Sequence, residues 1–241
     1  MMAAAFALIG DYLIYLLPGL TLFALWFGLT PRSLPGLRIA ILLLGFVLMR
    51  DVMTPLQFWS LGAGAQIGFI ANPLVLAALG LMSLAAVAGL ARVAPELWAL
   101  VVWKQGGLAL GLLLGLLAGC ALGLPLRWHS GIGWGQAGAL WLLAMALLAL
   151  GGNALEEVLF RGFLQGHLEQ FCSPWRAALL SALAFAACHS FLALSVTRAG
   201  WPVLLFTLLE GLLCAGLRVR YGVLAATVAH ATVIGLIAVP I

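Results

Sequence analysis

The chain has 241 residues, of which 65% are hydrophobic and only 7% are charged. A soluble domain carries about 25% charged residues, so this composition excludes a soluble globular protein and indicates a polytopic membrane protein. The net charge of +4 comes from basic residues scattered singly along the chain, unlike the clustered basic surface of a nucleic-acid-binding protein.

Apolar stretches that alternate with polar or Pro/Gly-rich breaks predict the helices. About 20 apolar residues suffice for a helix to cross a bilayer. On this basis we expect eight transmembrane helices and an all-α membrane protein, with spans at about 5–29, 37–56, 68–91, 96–122, 136–165, 175–195, 200–218 and 221–239. No polar stretch is long enough for a soluble domain, so we expect one membrane domain over 1–241.

The arginines favour one orientation of this domain. Most of them fall in the odd-numbered loops, whereas Arg127 and Arg198 fall in even-numbered ones. Because positive charge concentrates in cytoplasmic loops, the odd-numbered loops are predicted to be cytoplasmic.

Five ionisable residues lie in apolar runs away from any recognisable motif. Arg50 and Asp51 are adjacent and are interpreted as a mutual ion pair near a span end. Asp11, Lys104 and Glu210 are single groups, so each is expected to face the bundle interior and a polar partner. Their sequence context leaves structural and functional roles equally open.

The fifth predicted span carries a cluster of charged residues, in the sequence NALEEVLFRG. Asn153, Glu157 and Arg161 are spaced i, i+4, i+8 and so share one helix face. Glu156 points about 100° away on the same turn. A carboxylate beside an arginine in an apolar site suits a general base, but the same pair could simply hold helices together.

Two histidines lie in later apolar spans and favour the chemical interpretation. His189 is in LAFAACHSF and His230 is in VLAATVAHATVIGL. Ionisable groups on three separate spans predict that Glu156, Glu157, His189 and His230 meet in one water-accessible cavity inside the bundle. The motifs HExxH, GxGD and GxSG, which mark other intramembrane proteases, are absent from the sequence.

These residues resemble the motifs of the CPBP family, the CAAX proteases and bacteriocin-processing enzymes that include the Ras-converting CAAX endopeptidase. The family motif EExxxR matches EEVLFR at 156–161, and FxxxH matches FAACH at Phe185 and His189. The third motif, HxxxN or HxxxD, matches only His230, because Ile234 stands at the Asn/Asp position. The resemblance covers about 145–240, by the spacing of these motifs.

The resemblance implies a glutamic intramembrane protease of about eight helices, with its catalytic core over 136–241 and helices of unassigned role over 1–135. Glu156 and Glu157 would be the base pair, and Glu157 is preferred because it shares a face with Arg161. His189 and His230 would polarise water or stabilise the oxyanion, and Arg161 and Phe185 would support them. Asn153 is a candidate for the role that Ile234 cannot fill, although its amide could equally bond to neighbouring backbone.

The resemblance leaves the cofactor open. A zinc site needs three protein ligands, which Glu157, His189 and His230 could supply, but no local ligand spacing argues for zinc. The sequence therefore assigns no cofactor, and a divalent metal such as zinc stays open as the alternative.

The expected partners are the lipid bilayer and a membrane-anchored or lipidated protein or peptide cleaved near its C-terminus, with no nucleic acid. The resemblance suggests a bacterial inner membrane location and a role in processing C-terminal sorting signals. Two alternatives stay open. One is a catalytically inactive immunity or scaffold protein, which Ile234 favours; the other is a transporter or proton relay with a polar path linking Asp11, Lys104 and Glu210 to the site.

Overall fold

The computed structural model describes residues 2–61, 67–131, 137–196 and 200–241, except for the side chains of 195 and 196. Ten α-helices occur in these ranges: α1 Met2–Leu29, α2 Pro35–Asp51, α3 Pro73–Val93, α4 Pro95–Trp98, α5 Leu108–His129, α6 Ala139–Glu157, α7 Gln165–Leu168, α8 Pro174–Ala187, α9 Trp201–Tyr221 and α10 Val223–Ile237. Two π-helical segments, Val158–Leu164 and Leu192–Val196, interrupt them. The all-α membrane class is confirmed. Arg198, assigned above to an even-numbered loop, lies outside the described residues.

Five helices in the described ranges are long and apolar enough to cross a membrane: Met2–Leu29, Pro73–Val93, Leu108–His129, Ala139–Leu168 and Trp201–Tyr221. Helices α2, α8 and α10 have 17, 14 and 15 residues. At 1.5 Å per residue they are shorter than the hydrocarbon core of a bilayer, which is about 30 Å thick. The expected number of eight spans therefore stays a prediction.

Local sequence explains where several helices begin. Proline stands in the first turn of α2, α3 and α8, where its fixed φ suits a helix and its missing N–H leaves no helical bond unmade. Asn72 caps α3, because its side chain accepts a hydrogen bond from the Leu74 amide at 3.0 Å.

The prediction of a span over 96–122 was wrong. Helix α5 begins only at Leu108, after a non-helical stretch in which Gly106 has φ +67° and Lys104 is exposed. In this stretch the carbonyls of Val102 and Trp103 accept hydrogen bonds from the Val223 and Leu224 amides. The stretch thus satisfies amides at the start of α10 that would otherwise lack helical partners, and Lys104 lies outside the bundle interior.

A small three-stranded sheet was not predicted. Strands β1 Trp59–Leu61 and β2 Ile67–Phe69 pair antiparallel, and β2 pairs in parallel with β3 Ala238–Pro240. Each strand has three residues, too few for an alternating sequence pattern. The sheet ties the chain that follows α2 to the chain that follows α10.

Glycines allow the helices around the site to pack closely. On α5, Gly111, Gly115, Gly119 and Gly123 face α10 and the turn before it. Helix α3 contacts α6 at Gly80 and Gly151, where a Cβ on either residue would overlap the backbone of the other helix. Small residues permit this backbone approach, which fixes the two helices that bear His230 and the paired glutamates.

Gly151→Ala is expected to destabilise the protein by about 1–3 kcal/mol, because the new methyl group would force α3 and α6 apart. Gly152→Ala is the matched control, since a Cβ there meets only Leu148, at an ordinary 3.8 Å. Thermal unfolding in detergent measures both. Equal midpoints for the two variants would contradict the packing argument.

Candidate functional site

A cavity of about 400 Å³ lies inside the described bundle. Its lining is mainly apolar and comes from both the N-terminal and the C-terminal helices. Tyr12 and five charged or histidine side chains interrupt this lining; the five are Arg50, Glu156, His189, Glu210 and His230. Of the four residues expected to share a cavity, Glu156, His189 and His230 line it.

The adjacent glutamates have different surroundings. Glu156 continues a stripe of cavity-lining residues on α6 formed by Met145, Ala149 and Gly152, whose spacing keeps them on one helix face. Its Oε2 atom is buried and has no hydrogen-bond partner within the described part of the chain. Glu157 points about 100° away, is fully buried and does not line the cavity.

Glu157 is held by an arginine and a histidine. Its Oε1 lies 3.2 Å from Arg161 Nη1 and 2.8 Å from His230 Nδ1. Arg161 is fully buried. Its Nη2 donates to the Gly211 carbonyl, and its guanidinium lies 4.3 Å from the centre of the Phe185 ring. Glu157 and Arg161 thus join α6, α8, α9 and α10 at one point.

The helix containing these residues widens just after the glutamates. Residues Val158–Leu164 form a π-helical segment, and such segments often occur at functional sites. The Phe160 carbonyl in this segment accepts a hydrogen bond from Ser181 Oγ of α8 at 2.8 Å. This bond satisfies a buried acceptor and attaches α8 beside the site.

His230 lies between two glutamates on different elements. Its Nδ1 is 2.8 Å from Glu157 Oε1, and its Nε2 is 3.5 Å from Glu210 Oε2. His230 is 3% exposed and Glu210 is 2% exposed, so both are shielded from bulk solvent while lining the cavity. His230 therefore faces an acceptor on each ring nitrogen, and only a protonated imidazole can donate from both.

His189 follows α8 and faces the same cavity. Its Nδ1 lies 2.8 Å from the Phe185 carbonyl, which can only accept, so Nδ1 donates. In a neutral ring Nε2 is then the acceptor. The Phe185 ring lies 4.6 Å from the His189 ring and 5.7 Å from the His230 ring, measured between centroids, so it spaces the two histidines.

The metal-ligand set considered from the sequence does not come together as expected. Among the described residues, the group of three whose ligand atoms all lie within 4.8 Å of one another is Glu157, Cys214 and His230, without His189. Glu157 and Cys214 do not line the cavity, and a cation there would compete with the Arg161 guanidinium for Glu157. These residues do not fit a catalytic metal with access to substrate.

Two charged residues of the cavity, Glu210 and Arg50, were not part of the site predicted from the sequence. Glu210 was noted only as an isolated charge, and Arg50 only as the partner of Asp51. The ion pair is present, with Arg50 Nη2 2.8 Å from Asp51 Oδ1, but Arg50 also lines the cavity. Both reach the site through tertiary contacts, so no local spacing could have indicated their location.

Asn153 and Ile234 both line the cavity. Asn153 is 6% exposed, and its Nδ2 has no hydrogen-bond partner among the described residues. The backbone-bonded alternative considered from the sequence is therefore not observed for this amide nitrogen. Ile234 presents a hydrocarbon side chain where the CPBP pattern has an amide or a carboxyl group.

Asp11 and Lys104 lie apart from the cavity. Both are exposed on the described bundle, and neither contributes to the cavity lining. The polar path expected of a proton relay through Asp11, Lys104 and Glu210 is therefore not formed by these three residues.

Comparison with protein families found a match in the C-terminal part of the chain. The family described as type II CAAX prenyl endopeptidase Rce1-like matches residues 138–235. Comparisons with curated proteins and with solved structures gave no match.

The matched region runs from the start of α6 to α10 and contains both glutamates and both site histidines. The resemblance to CAAX proteases is thereby confirmed. Together with the five apolar helices, the match indicates an integral membrane protein with a CAAX-protease-like hydrolase region. Over residues 138–235 this chain is thus similar to the Rce1-like family of type II CAAX prenyl endopeptidases.

Proposed function

We propose that this protein is an intramembrane endopeptidase in which Glu156 activates a water molecule for attack on a peptide carbonyl. The observation that carries the proposal is that the two adjacent glutamates have different surroundings. Glu156 lines the cavity and has an oxygen that no described residue bonds, whereas Glu157 contacts Arg161 and His230. This geometry favours Glu156 as the base, in contrast to the preference for Glu157 drawn from the sequence.

The proposed reaction uses Glu156 twice. Its carboxylate takes a proton from water while the resulting hydroxide adds to the carbonyl carbon. The same proton then passes to the leaving amine as the C–N bond breaks. His189 Nε2 can accept the second hydrogen of the water, which orients it between the two groups.

The tetrahedral intermediate carries an oxyanion that needs hydrogen-bond donors. In the protonated imidazole, Glu157 holds the His230 ring through Nδ1–H. Nε2–H, whose contact with Glu210 is a long 3.5 Å, can donate to the oxyanion in place of Glu210. Asn153 Nδ2 is a second donor available in the cavity. We therefore assign Asn153 to the role that Ile234 cannot perform.

The apolar lining supports a substrate with an apolar segment near its C-terminus, in a membrane-anchored or lipidated protein. Processing of C-terminal sorting signals in a bacterial inner membrane is the specific form of this proposal. Arg50 of α2 lines the same cavity as the residues of 138–235, which supports treating 1–241 as one domain with its catalytic core over 136–241.

A cleavage assay tests the proposed function. Purified protein in detergent or liposomes is incubated with prenylated and with apolar-anchored C-terminal peptides, and products are identified by mass. We expect a shorter peptide with a new C-terminal carboxylate. The absence of any product from both peptide classes would contradict the proposal.

Asn153→Ala is expected to lower kcat by about 10²- to 10³-fold, the usual effect of removing one oxyanion donor. Adding Ile234→Asn should restore part of the activity, since it places an amide at the family position in the same cavity. Single-turnover rates measure both effects. Undiminished turnover in Asn153→Ala would refute the assignment.

One observation favours a second candidate, a catalytically inactive immunity or scaffold protein. Ile234 removes a polar group from the cavity wall at the position of the family motif. This candidate predicts that the wild type cleaves neither the prenylated nor the apolar-anchored peptide. It also predicts that Glu156→Gln behaves like the wild type in the cells that produce the protein.

A further inference from the structure

Arg50 is a cation fixed at the edge of the reaction site. It lies near the C-terminal end of α2, and its Nε donates to Asp51 Oδ1 at 2.9 Å. Its Nη2 donates to the Cys188 carbonyl at 2.8 Å, which is in the peptide bond to His189. Two contacts on different elements hold the guanidinium in place, and its side chain is 12% exposed.

One nitrogen of this guanidinium is unused. Arg50 Nη1 is buried and has no hydrogen-bond partner among the described residues, although Arg50 lines the cavity. Nη1 carries two N–H groups and cannot accept. A buried donor without an acceptor is costly, so an acceptor that enters the cavity would be stabilised at this position.

The charge of the cavity indicates which acceptor. Glu156 and Glu210 are the carboxylates in its lining, and Arg50 is the arginine. A substrate anion would be repelled by the two glutamates and attracted by the guanidinium, whereas a protonated His230 already lies between Glu157 and Glu210. Arginine binds carboxylates through short, charge-assisted hydrogen bonds.

We propose that Arg50 forms a subsite for the free C-terminal carboxylate of the substrate. The inference rests on the proposed proteolytic function and assigns recognition of the substrate's chain end to Arg50. Because Arg50 Nη2 is bonded to the Cys188 carbonyl, in the peptide bond to His189, a carboxylate bound by Arg50 lies beside the reaction site.

The test compares two versions of one cleavable peptide, one with a free C-terminal carboxylate and one with a C-terminal amide. The quantity measured is the ratio of kcat/KM for the acid to kcat/KM for the amide. We expect the wild type to favour the acid by about 10- to 100-fold, the effect of one charge-assisted hydrogen-bonded pair. The amount of folded enzyme cancels from this ratio.

Arg50→Gln should reduce the ratio to about one, mainly through a higher KM for the acid, because glutamine lacks the cationic Nη1. Arg38→Gln is the matched control. Arg38 lies on the same helix and is also buried, but it pairs with Glu96 at 3.0 Å and does not line the cavity. Its ratio should equal that of the wild type.

The outcomes separate this inference from the proposed function. If the wild type cleaves neither peptide, the proteolytic function fails. If it cleaves both equally well, or if Arg50→Gln keeps the preference for the acid, the carboxylate subsite fails while the protease stands.

Discussion

Glu156→Gln is expected to lower kcat/KM by about 10²- to 10⁴-fold, the contribution of a general base, without changing the thermal unfolding midpoint. Glutamine has nearly the same shape as glutamate but cannot take a proton from water. Because Glu156 lines the cavity and its Oε2 has no partner among residues 2–61, 67–131, 137–196 and 200–241, the substitution breaks no ion pair in these ranges. Single-turnover cleavage and unfolding in detergent measure the two quantities.

Glu169→Gln is the matched control for this prediction. Glu169 pairs with Arg218 away from the cavity, so its substitution should leave cleavage intact. A Glu156→Gln enzyme that retains wild-type turnover would remove Glu156 from the mechanism.

Arg161→Met is expected to destabilise the protein by about 3–5 kcal/mol, the cost of leaving one partner of a buried ion pair unpaired. Arg161 is fully buried and is the guanidinium that contacts Glu157. Its loss would also free Glu157 from one of the two groups that fix its orientation toward His230. We therefore expect lower activity together with a lower unfolding midpoint.

The double variant Glu157→Gln/Arg161→Met separates charge from packing. It removes both members of the pair, so it should recover part of the stability lost in Arg161→Met. Arg92→Met serves as an exposed control and should have little effect. Equal stability of Arg161→Met and the wild type would show that the ion pair does not hold these helices.

Those parts of the site that depend on short spacing could be predicted from sequence. Glu157 and Arg161 are four residues apart, and the ion pair formed despite the π-helical segment that begins at Val158. The joint presence of glutamates and histidines in apolar spans also indicated that separate helices would converge. Helical periodicity and hydropathy depend on residues close together in the sequence, so they predict which residues share a helix face and which lie in an apolar span.

The difference between Glu156 and Glu157 could not be predicted in this way. Adjacent helical residues point about 100° apart, and sequence alone does not say which direction faces the cavity. The preference for Glu157 relied on its shared face with Arg161. At Glu157 and Arg161 that face is packed against α9 and α10, because Arg161 donates to Gly211 and His230 bonds to Glu157. Asn153, one turn earlier, lines the cavity.

Arg50 and Glu210 were missed as site residues because only contacts distant in sequence bring them to the cavity. Arg50 reaches the site through the Cys188 carbonyl, 138 residues away along the chain, and Glu210 reaches it through His230. Lys104 was placed inside a span because its neighbours are apolar, but Gly106 and Gly107 follow it. Two adjacent glycines are a signal for a break in the helix, and they could have located the start of α5.

In the proposed mechanism Glu156 acts as a base, so that water adds directly to the substrate carbonyl. Single-turnover cleavage in H₂¹⁸O, with enzyme in excess, tests it by locating the label. We predict one ¹⁸O in the new C-terminal carboxylate of the product and none in the enzyme peptide that contains Glu156. Label in that enzyme peptide would instead show that Glu156 forms an acyl intermediate, which would contradict its role as a base.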